Sequence, residues 1–429
     1  MSLVFNSMAR TNHVLLTAFV AIWTACFAWA ASAENVLIVR TSQDIQKALR
    51  SAKEPDQPLL TLQLAPGRYE KLSIRDIKSP VILQPQQAGK RPELAGLHIA
   101  DSNSITLEGL ALSYKALGDG ESVFTAPFRV YSSSNITFSD MLIEGDLARG
   151  HGSAEDGFPA GKGLLVRDSQ YVTIKNCEIR TLFLGLSVHR SKNVVISGNE
   201  IHGLRKDGLT LAQVQNLLVE GNYFHSFNRA PDAGDHADMI QLWTNKTDAP
   251  TDGVTVRNNV FNSGHGLWTQ TIFIRNDLVD KGRAGKELFF RNIRIENNVI
   301  INAHIHGIYV GETDGLTIVN NTLIRNSRSE AKRFNEVWAS PKIKVAERSR
   351  NVVIERNAAF GFPEPAAADW SVKDNVEIQS GRRLAAGYYD RIFKNAISGD
   401  PLDLANFQYL KDGPLAGGKI GANRLRAAQ

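Results

Sequence analysis

The sequence predicts an all-β solenoid in which short parallel strands stack coil upon coil, that is, a parallel β-helix. The first observation is a seven-residue phrase that alternates apolar and polar residues and ends on Asn, as in Asn193–Asn199. It returns at Asn216–Asn222, Gly253–Asn259, Asn292–Asn298, Gly315–Asn321 and Asn351–Asn357. The final Asn residues are 23, 37, 39, 23 and 36 positions apart, so a short unit recurs and sometimes carries an insertion.

A second set of strands alternates with these phrases. Its members are Leu164–Asp168, Leu186–Arg190, Leu209–Gln213, Ile240–Thr244, Ile272–Asn276 and Ile308–Glu312. Because no helix-period segment is available to cover the sheets, we expect the strands to bury their apolar faces against each other inside the coil. The final residues of the phrases would then stack as an internal amide ladder of Asn199, Asn222, Asn259, Asn298, Asn321 and Asn357.

This pattern resembles the right-handed parallel β-helix superfamily of pectate-lyase-like proteins, in the form found in secreted bacterial polysaccharide-processing proteins. The resemblance runs from about Glu34 to the C-terminus. Ser42–Leu49 has the helical period of an N-terminal capping helix, and Leu62–Tyr69 is similar to the family's first-coil turn. Since this superfamily contains lyases, hydrolases, epimerases, esterases and binding proteins, the function has to be argued from the site.

The ends and the composition predict an exported protein with a single folded domain. Residues 1–33 have the pattern of a signal peptide, with an apolar core and a small-residue cleavage site before Glu34. The remainder, 34–429, is interpreted as one β-helix domain with repeats over about 62–360 and a C-terminal cap over about 361–429. Cleavage would lower the formal charge from +5 to +4 by removing Arg10, and would leave Cys177 as the one cysteine, so no internal disulfide is expected.

These features predict a secreted or periplasmic monomer without membrane attachment after cleavage. A modest basic excess suits an acidic polysaccharide as partner. The sequence lacks polybasic runs with interleaved aromatics, which argues against nucleic-acid binding.

The second strand set is expected to carry a sugar-binding groove. Alignment of its strands places Leu165, Ser187, Thr210, Gln241, Phe273 and Tyr309 in one outward row, and Arg167, His189, Ala212, Trp243, Arg275 and Gly311 in the next. The residues just before the strands form a third row of Leu184, Asp207, Asp238, Gln270 and His306. Aromatic rings stack on sugars and Arg pairs with carboxylates, so the predicted substrate-binding residues are Arg167, Gln241, Trp243, Arg275, His306 and Tyr309.

The densest cluster of reactive side chains begins the strand at Asp238. Its His236-x-Asp238-x-Ile-Gln241-x-Trp243 pattern is similar to segments of secreted bacterial β-helix proteins that process polysaccharides. Asp207 and Asp238 precede their strands at the same offset, so the two carboxylates should be neighbours. Three interpretations stay open: a calcium site formed by Asp207, Asp235 and Asp238, an acid/base pair for glycoside hydrolysis, or turn-capping residues without a chemical role.

For a uronate-containing polysaccharide the leading prediction is a lyase that acts by β-elimination. Arg167, Arg275 or a calcium ion would neutralise the sugar carboxylate. His236 or His189 would remove the proton next to it, with Lys206 as an alternative base, and Tyr309 or His306 would protonate the leaving oxygen. Glycoside hydrolysis, C5-epimerisation and non-catalytic carbohydrate binding remain alternatives. The predicted catalytic residues are His236, Asp238, His189, Lys206 and Asp207.

Overall fold

The computed structural model describes residues 35–116, 118–267, 269–329 and 335–426, and this part of the chain winds into a parallel β-helix of three sheets. Each coil contributes one strand to sheet II, one to sheet I and one to sheet III, in that order along the chain. The all-β solenoid predicted from the repeating phrase is therefore confirmed. The signal peptide predicted at 1–33 lies outside the described residues.

Sheet I contains the repeating phrases. Within the described chain it has 13 parallel strands, Asn35–Val39, Leu60–Leu64, Val81–Pro85, Asn103–Glu108, Ser134–Ser139, Gln170–Lys175, Lys192–Ser197, Gln215–Glu220, Asp252–Arg257, Phe290–Glu296, Thr313–Val319, Arg350–Glu355 and Trp370–Lys373. The backbone explains the phrase, because its first residue and the residue before its final Asn both have positive φ, for example Asn193 at 56° and Gly198 at 65°. Gly and Asn tolerate this left-handed conformation best, so they recur at those two positions.

Sheet II contains the second predicted strand set. In the described residues it has 10 parallel strands, Leu72–Arg75, Leu97–Ala100, Phe128–Tyr131, Lys162–Arg167, Leu184–His189, Leu209–Ala212, Asp238–Leu242, Gln270–Ile274, His306–Val310 and Lys342–Val345. Insertions join its strands to both neighbouring sheets. Residues 115–127, 145–163 and 227–237 enter from sheet III, and residues 245–251 and 275–289 leave toward sheet I. The outer face of sheet II is therefore bordered by long loops at both strand ends.

Sheet III does not correspond to either predicted strand set. Over the described ranges it has 12 short strands, Arg68–Tyr69, Glu93–Leu94, Ala111–Ser113, Leu142–Glu144, Glu178–Arg180, Glu200–His202, Tyr223–His225, Val260–Asn262, Val299–Asn302, Thr322–Arg325, Ala358–Ala359 and Val376–Glu377. Most span two or three residues, which is too short to show an alternation in sequence. The sequence patterns therefore predict two of the three strands of each coil and miss the strand that belongs to sheet III.

Helices are short and peripheral. The α-helices of the described chain are Ser42–Ala48, Asp277–Asp280 and Glu336–Ala339. Its 3-10 helices are Ser51–Lys53, Pro231–Ala233, Lys286–Leu288, Tyr389–Arg391, Leu404–Phe407 and Asn423–Leu425, and an antiparallel ribbon pairs Asp146–Leu147 with Pro159–Ala160. The first helix begins with a capping box between Thr41 and Asp44 and buries Ile45 against the first coils. The predicted capping helix is thus confirmed.

The predicted amide ladder is present inside the coil. Nδ2 of Asn222 donates to Oδ1 of Asn259 at 2.9 Å, and Nδ2 of Asn259 donates to Oδ1 of Asn298 at 3.0 Å. The same bond links the rungs Asn199, Asn222, Asn259, Asn298, Asn321, Asn357 and Asn375. Cys177 occupies the preceding rung, where its backbone N–H donates to Asn199, and burial raises the pKa of its thiol to about 11. The thiol is therefore a buried packing group.

The C-terminal segment lies along the coil. Tyr389, Phe393 and Tyr409 are buried against apolar residues of sheet III such as Val299 and Ile324. The hydroxyl of Tyr409 also lies 2.6 Å from Oγ1 of Thr322. The segment thus covers the outer face of the later strands of sheet III. No helix in the described part of the chain is long and apolar enough to span a membrane.

Candidate active site on the outer face of sheet II

The outward rows of sheet II form as the strand alignment predicts. The register pairs, in successive coils, Leu165, Ser187, Thr210, Gln241, Phe273 and Tyr309. Arg167 pairs with His189 and His189 with Ala212 in the second row, while Trp243 and Arg275 lie just beyond the ends of their strands. The structure therefore brings the predicted substrate-binding residues to one face of the coil.

Asp207 and Asp238 meet at the beginning of adjacent strands. The backbone N–H of Asp238 donates to Oδ1 of Asp207 at 3.2 Å, and Oγ1 of Thr210 lies 3.4 Å from Oδ2 of Asp207. Gln241 donates from Nε2 to Oδ2 of Asp238 at 2.8 Å. Both carboxylates are buried, so the strand spacing of about 4.8 Å fixes two acidic groups side by side away from water.

His236 lies above this pair and faces solvent. Its Nδ1 is 3.7 Å from Oδ2 of Asp238, and 58% of its side chain is exposed. One ligand atom from each of Asp207, His236 and Asp238 lies within 4.8 Å of the other two. The structure thus combines two buried oxygens with one accessible imidazole.

Burial and mutual repulsion change the protonation of this cluster. Burial, reinforced by the charge of Asp238, raises the pKa of Asp207 to about 7. Burial also raises the pKa of Asp238, and the carboxylate of Asp238 raises the pKa of His236. Ionisation of two adjacent buried carboxylates is unfavourable, and a shared proton or a bound cation would relieve their repulsion.

The donor atoms of the cluster fit a cation. Oδ1 of Asp238 and Oε1 of Gln241 are buried without a hydrogen-bond partner, as an acceptor aimed at a positive ion would be. Carboxylate and amide oxygens are the ligands that calcium prefers, whereas an imidazole suits zinc or another transition metal better. The pair of Asp207 and Asp238 is therefore compatible with calcium, and participation of His236 would favour a softer divalent ion.

Asp235 is placed differently from the ligand role expected of it. Its Oδ2 accepts a hydrogen bond from Nε of Arg205 at 2.6 Å, and Nη1 of Arg205 lies 3.2 Å from Oε2 of Glu155. The guanidinium is 5.3 Å from the ring centre of Phe183, and its side chain is only 2% exposed. Arg205 therefore connects insertion 145–163 to insertion 227–237 through ion pairs. His236, and not the predicted Asp235, lies beside the carboxylates of Asp207 and Asp238.

Lys206 and Lys162 supply positive charge next to the carboxylates. Lys206 is half-buried, and its charge partly opposes the rise in the pKa of both Asp207 and Asp238. Burial lowers the pKa of Lys162, and the charge of Lys206 lowers it further. Arg205 and Lys162 were not identified from the sequence, because their proximity depends on how two insertions fold.

His189 lies in a setting that suits hydrogen bonding better than proton removal. Burial, followed by the charges of Arg167 and Arg190, lowers the pKa of His189 to about 4. Its ring centre is 6.5 Å from that of the Trp243 indole. Nε2 of His189 and Nε1 of Trp243 are both buried without a hydrogen-bond partner. A neutral imidazole of this basicity is a weak general base near pH 7.

An aromatic platform lies at the far end of the same face. The ring centre of Phe273 is 5.3 Å from that of His306 and 5.0 Å from that of Tyr309. Burial lowers the pKa of His306 to about 4, and its Nδ1 lies 2.6 Å from Oε1 of Gln270. These stacked rings offer a flat apolar surface of the kind that binds a pyranose ring.

The two predicted carboxylate-binding arginines differ in availability. Arg275 lies 2.8 Å from Asp280 and 3.7 Å from Asp277, both in the loop that follows its strand. Arg167 lies 3.5 Å from Asp168, a longer contact than that of Arg275 with Asp280. Asp168 in turn accepts two 2.7 Å hydrogen bonds from Arg190. Arg167 is therefore the arginine better placed to meet an anionic sugar.

Comparison with known families agrees with this architecture. The family described as the right handed beta helix region matches residues 92–261 and 130–359. The chain belongs to the right-handed β-helix family. The predicted handedness is thereby confirmed. No curated protein sequence matches this β-helix at a significant level.

Several solved structures are similar to this β-helix. The PL6-family alginate lyase AlyGC aligns with a TM-score of 0.50 at 15% identity, over 91% of this chain and 57% of its own. The alginate lyase of Paenibacillus sp. str. FPU-7 aligns with a TM-score of 0.39 at 12% identity, over 80% and 99% of the two chains. The surface adhesin PfbA of Streptococcus pneumoniae has a TM-score of 0.40 at 14% identity, over 75% and 78%. At such identities the likeness is one of fold.

Proposed function

We propose that this protein is an exported polysaccharide lyase that cleaves a uronate-containing polysaccharide by β-elimination at the Asp207, His236 and Asp238 cluster. The observation that carries the proposal is the buried carboxylate pair directly beneath an exposed imidazole, on a face bordered by cationic and aromatic side chains. Elimination needs a positive charge for the sugar carboxylate, a base for the adjacent proton and an acid for the leaving oxygen. The cluster and its neighbours offer all three.

Substrate attraction begins with charge. Lys206 lies beside the carboxylate pair and Lys162 lies near Lys206, and each would favour a carboxylate over a neutral sugar. A calcium ion held by Asp207 and Asp238 would supply the remaining positive charge that stabilises the carboxylate as the neighbouring C–H bond weakens. The buried acceptors Oδ1 of Asp238 and Oε1 of Gln241 support such an ion.

His236 is proposed as the proton acceptor. Its imidazole is accessible, and the carboxylate of Asp238 raises its pKa above the ordinary value of 6.5, so it can accept a proton near neutral pH. Lys206 is proposed as the donor to the leaving oxygen, because it is adjacent to Asp207 in the same coil. These roles divide proton removal and proton delivery between two side chains that precede adjacent strands of sheet II.

Tyr309 and His306 do not fit the donor role expected for them. Tyr309 is two strands beyond Gln241 in the same row, which corresponds to about 10 Å along the coil axis. That distance is too great for both Tyr309 and His236 to act on one glycosidic bond. The platform of Phe273, His306 and Tyr309 is instead proposed to bind a neighbouring sugar.

Hydrolysis by the carboxylate pair is less compatible with the geometry. Glycoside hydrolysis needs two carboxyl groups that flank the scissile bond. Asp207 and Asp238 are both buried within the edge of sheet II, so a sugar cannot pass between them. Epimerisation begins with the same proton removal as elimination and is distinguished by the product.

The test is incubation of the purified mature protein with a panel of polyuronates, with calcium and with chelator. We expect ultraviolet absorbance from unsaturated ends to rise together with reducing ends, and His236→Gln to abolish both. The matched control is His265→Gln, since His265 is similarly exposed at 59% and also lies beside an aspartate, Asp400, outside this face. Reducing ends without absorbance would indicate a hydrolase, and absence of both products would contradict the proposal.

A further inference from the structure

A second group of metal-ligating side chains lies on a different face of the coil. Sheet III exposes two outward rows, in which Glu178 pairs with Glu200 and His202 pairs with His225. The residues between them, such as Ile201 and Phe224, point into the core and are buried. Strand alternation therefore presents two carboxylates and two imidazoles together on the outside.

The side chains in these rows are in contact. The rings of His202 and His225 stack with their centres 4.8 Å apart and their planes 5° apart. Nε2 of His225 lies 3.0 Å from Oε1 of Glu200, and Nε2 of His202 lies 3.3 Å from Oε1 of Glu178. One ligand atom from each of Glu200, His202 and His225 lies within 4.8 Å of the other two.

The neighbours of the cluster hold these ligands in place. The ring of Tyr223 stacks on His225 at 4.3 Å, and Oγ of Ser226 is 3.1 Å from Nδ1 of His225. Nη1 of Arg180 lies 2.7 Å from Oε1 of Glu178, so that carboxylate is already neutralised.

The donor set fits a borderline divalent ion. A tetrahedral zinc ion with bonds of about 2.0–2.1 Å separates its ligand atoms by about 3.3 Å, close to the spacing of His225 and Glu200. Two imidazoles and one carboxylate suit zinc, copper or nickel, and they leave a fourth position open to water. Calcium and magnesium prefer oxygen ligands alone.

We propose that Glu200, His202 and His225 form a transition-metal site on sheet III, separate from the candidate active site and independent of the proposed lyase activity. Because Glu200 and His202 come from one coil and His225 from the next, a bound ion would link adjacent coils. Binding should therefore raise the thermal unfolding temperature.

The experiment is calorimetric titration of the metal-free purified protein with zinc chloride at pH 7. Four proteins are compared: wild type, His225→Gln, His202→Gln, and the double variant Asp207→Asn/Asp238→Asn, which removes the acidic ligands of the other cluster. We expect zinc affinity at the sheet III site to fall at least tenfold in each histidine variant and to persist in the double variant. Copper added to wild type should show nitrogen coupling from two imidazoles in its electron paramagnetic resonance spectrum, and one imidazole should be lost in His225→Gln.

Zinc affinity that is unchanged in both histidine variants would overturn the proposal, as would binding that disappears only in the double variant. Circular dichroism of each variant checks that the coil is intact, which is expected because the replaced side chains are on the surface of the sheet. Polyuronate cleavage by His225→Gln should equal that of wild type. Failure of this metal site is thereby distinguishable from failure of the lyase proposal.

Discussion

Replacement of Asp207 by Asn should stabilise the metal-free protein, and increasingly so as the pH rises. Asp207 is buried beside Asp238, and this raises its pKa from the ordinary value of 3.8 to about 7. The unfolded chain therefore releases the proton near pH 4, whereas the native state keeps it until about pH 7. Native stability falls as the pH rises through this window, because the unfolded state loses its proton first.

The magnitude follows from the width of the window. Each pKa unit corresponds to about 1.4 kcal/mol, so the interval from pH 5 to the folded pKa near 7 is worth about 3 kcal/mol. Asn keeps the shape of the side chain and the acceptor for the backbone N–H of Asp238, and it carries no charge to bury. The stability of Asp207→Asn relative to wild type should therefore increase by about 3 kcal/mol between pH 5 and pH 8.

The assay is urea unfolding of both proteins at several pH values in the presence of chelator. Asp168→Asn is the control, because the bonds from Arg190 lower the pKa of Asp168 below its ordinary value of 3.8. Asp168 is therefore ionised in both the folded and the unfolded state between pH 5 and pH 8, and the cost of its replacement should not change across this range. A stability difference between Asp207→Asn and wild type that does not change with pH would refute the shared-proton argument. Asp207→Asn should also lose polyuronate cleavage, which would show that the buried pair of Asp207 and Asp238 lowers stability and is needed for function.

Three further predictions concern the ladder, the insertions and the aromatic platform. Asn259→Ala should lower the free energy of unfolding by about 4 kcal/mol, since it leaves several buried partners unsatisfied, and a loss under 1 kcal/mol in urea unfolding would contradict this. Arg205→Met should lower the free energy of unfolding by about 3 kcal/mol and increase hydrogen exchange in both insertions, because Asp235 and Glu155 lose their ion-pair partner. Unchanged exchange would argue against a connection of the two insertions by Arg205. Tyr309→Ala should raise KM for polyuronate about tenfold with kcat retained, and an equal loss in kcat would assign Tyr309 to the chemical step.

Sequence periodicity was sufficient to predict the coil and the asparagine ladder, and the reason lies in the backbone conformation. Asn193 and Gly198 both have positive φ, so the backbone itself demands the residues that make the phrase recognisable. The three-residue strand Glu200–His202 offers no such signal, since one buried Ile between two polar residues is too little to define an alternation. Sheet III and its histidine cluster were therefore visible only in the folded chain.

The positions of candidate site residues could be predicted for residues that begin strands, but not for residues in the loops. Asp207 and Asp238 share an offset from their strands, and stacking of the strands brings them together. Asp235 is only three residues from Asp238 but lies in an insertion, where its contact with Arg205 depends on the path of the loop. Glu155 reaches the same guanidinium across 50 positions of sequence, and no local pattern indicates that contact.

The hydrogen bonds between the asparagine side chains of the ladder all run in one direction along the coil, and the shortest repeat of the ladder has a defined length. From Asn199 to Asn357 each carboxamide donates one N–H to Oδ1 of the next rung toward the C-terminus and the other to a backbone carbonyl of the preceding coil, so each rung bonds only to its immediate neighbours. Such a stack behaves as a one-dimensional array with nearest-neighbour coupling. The 23-residue unit from Val299 to Asn321 is then a segment that engineers can duplicate without altering the bonding of other rungs. If the proposed function holds, coil number would set how many sugar units the face can span, while the proposed chemistry would stay confined to the coils of Asp207 and Asp238.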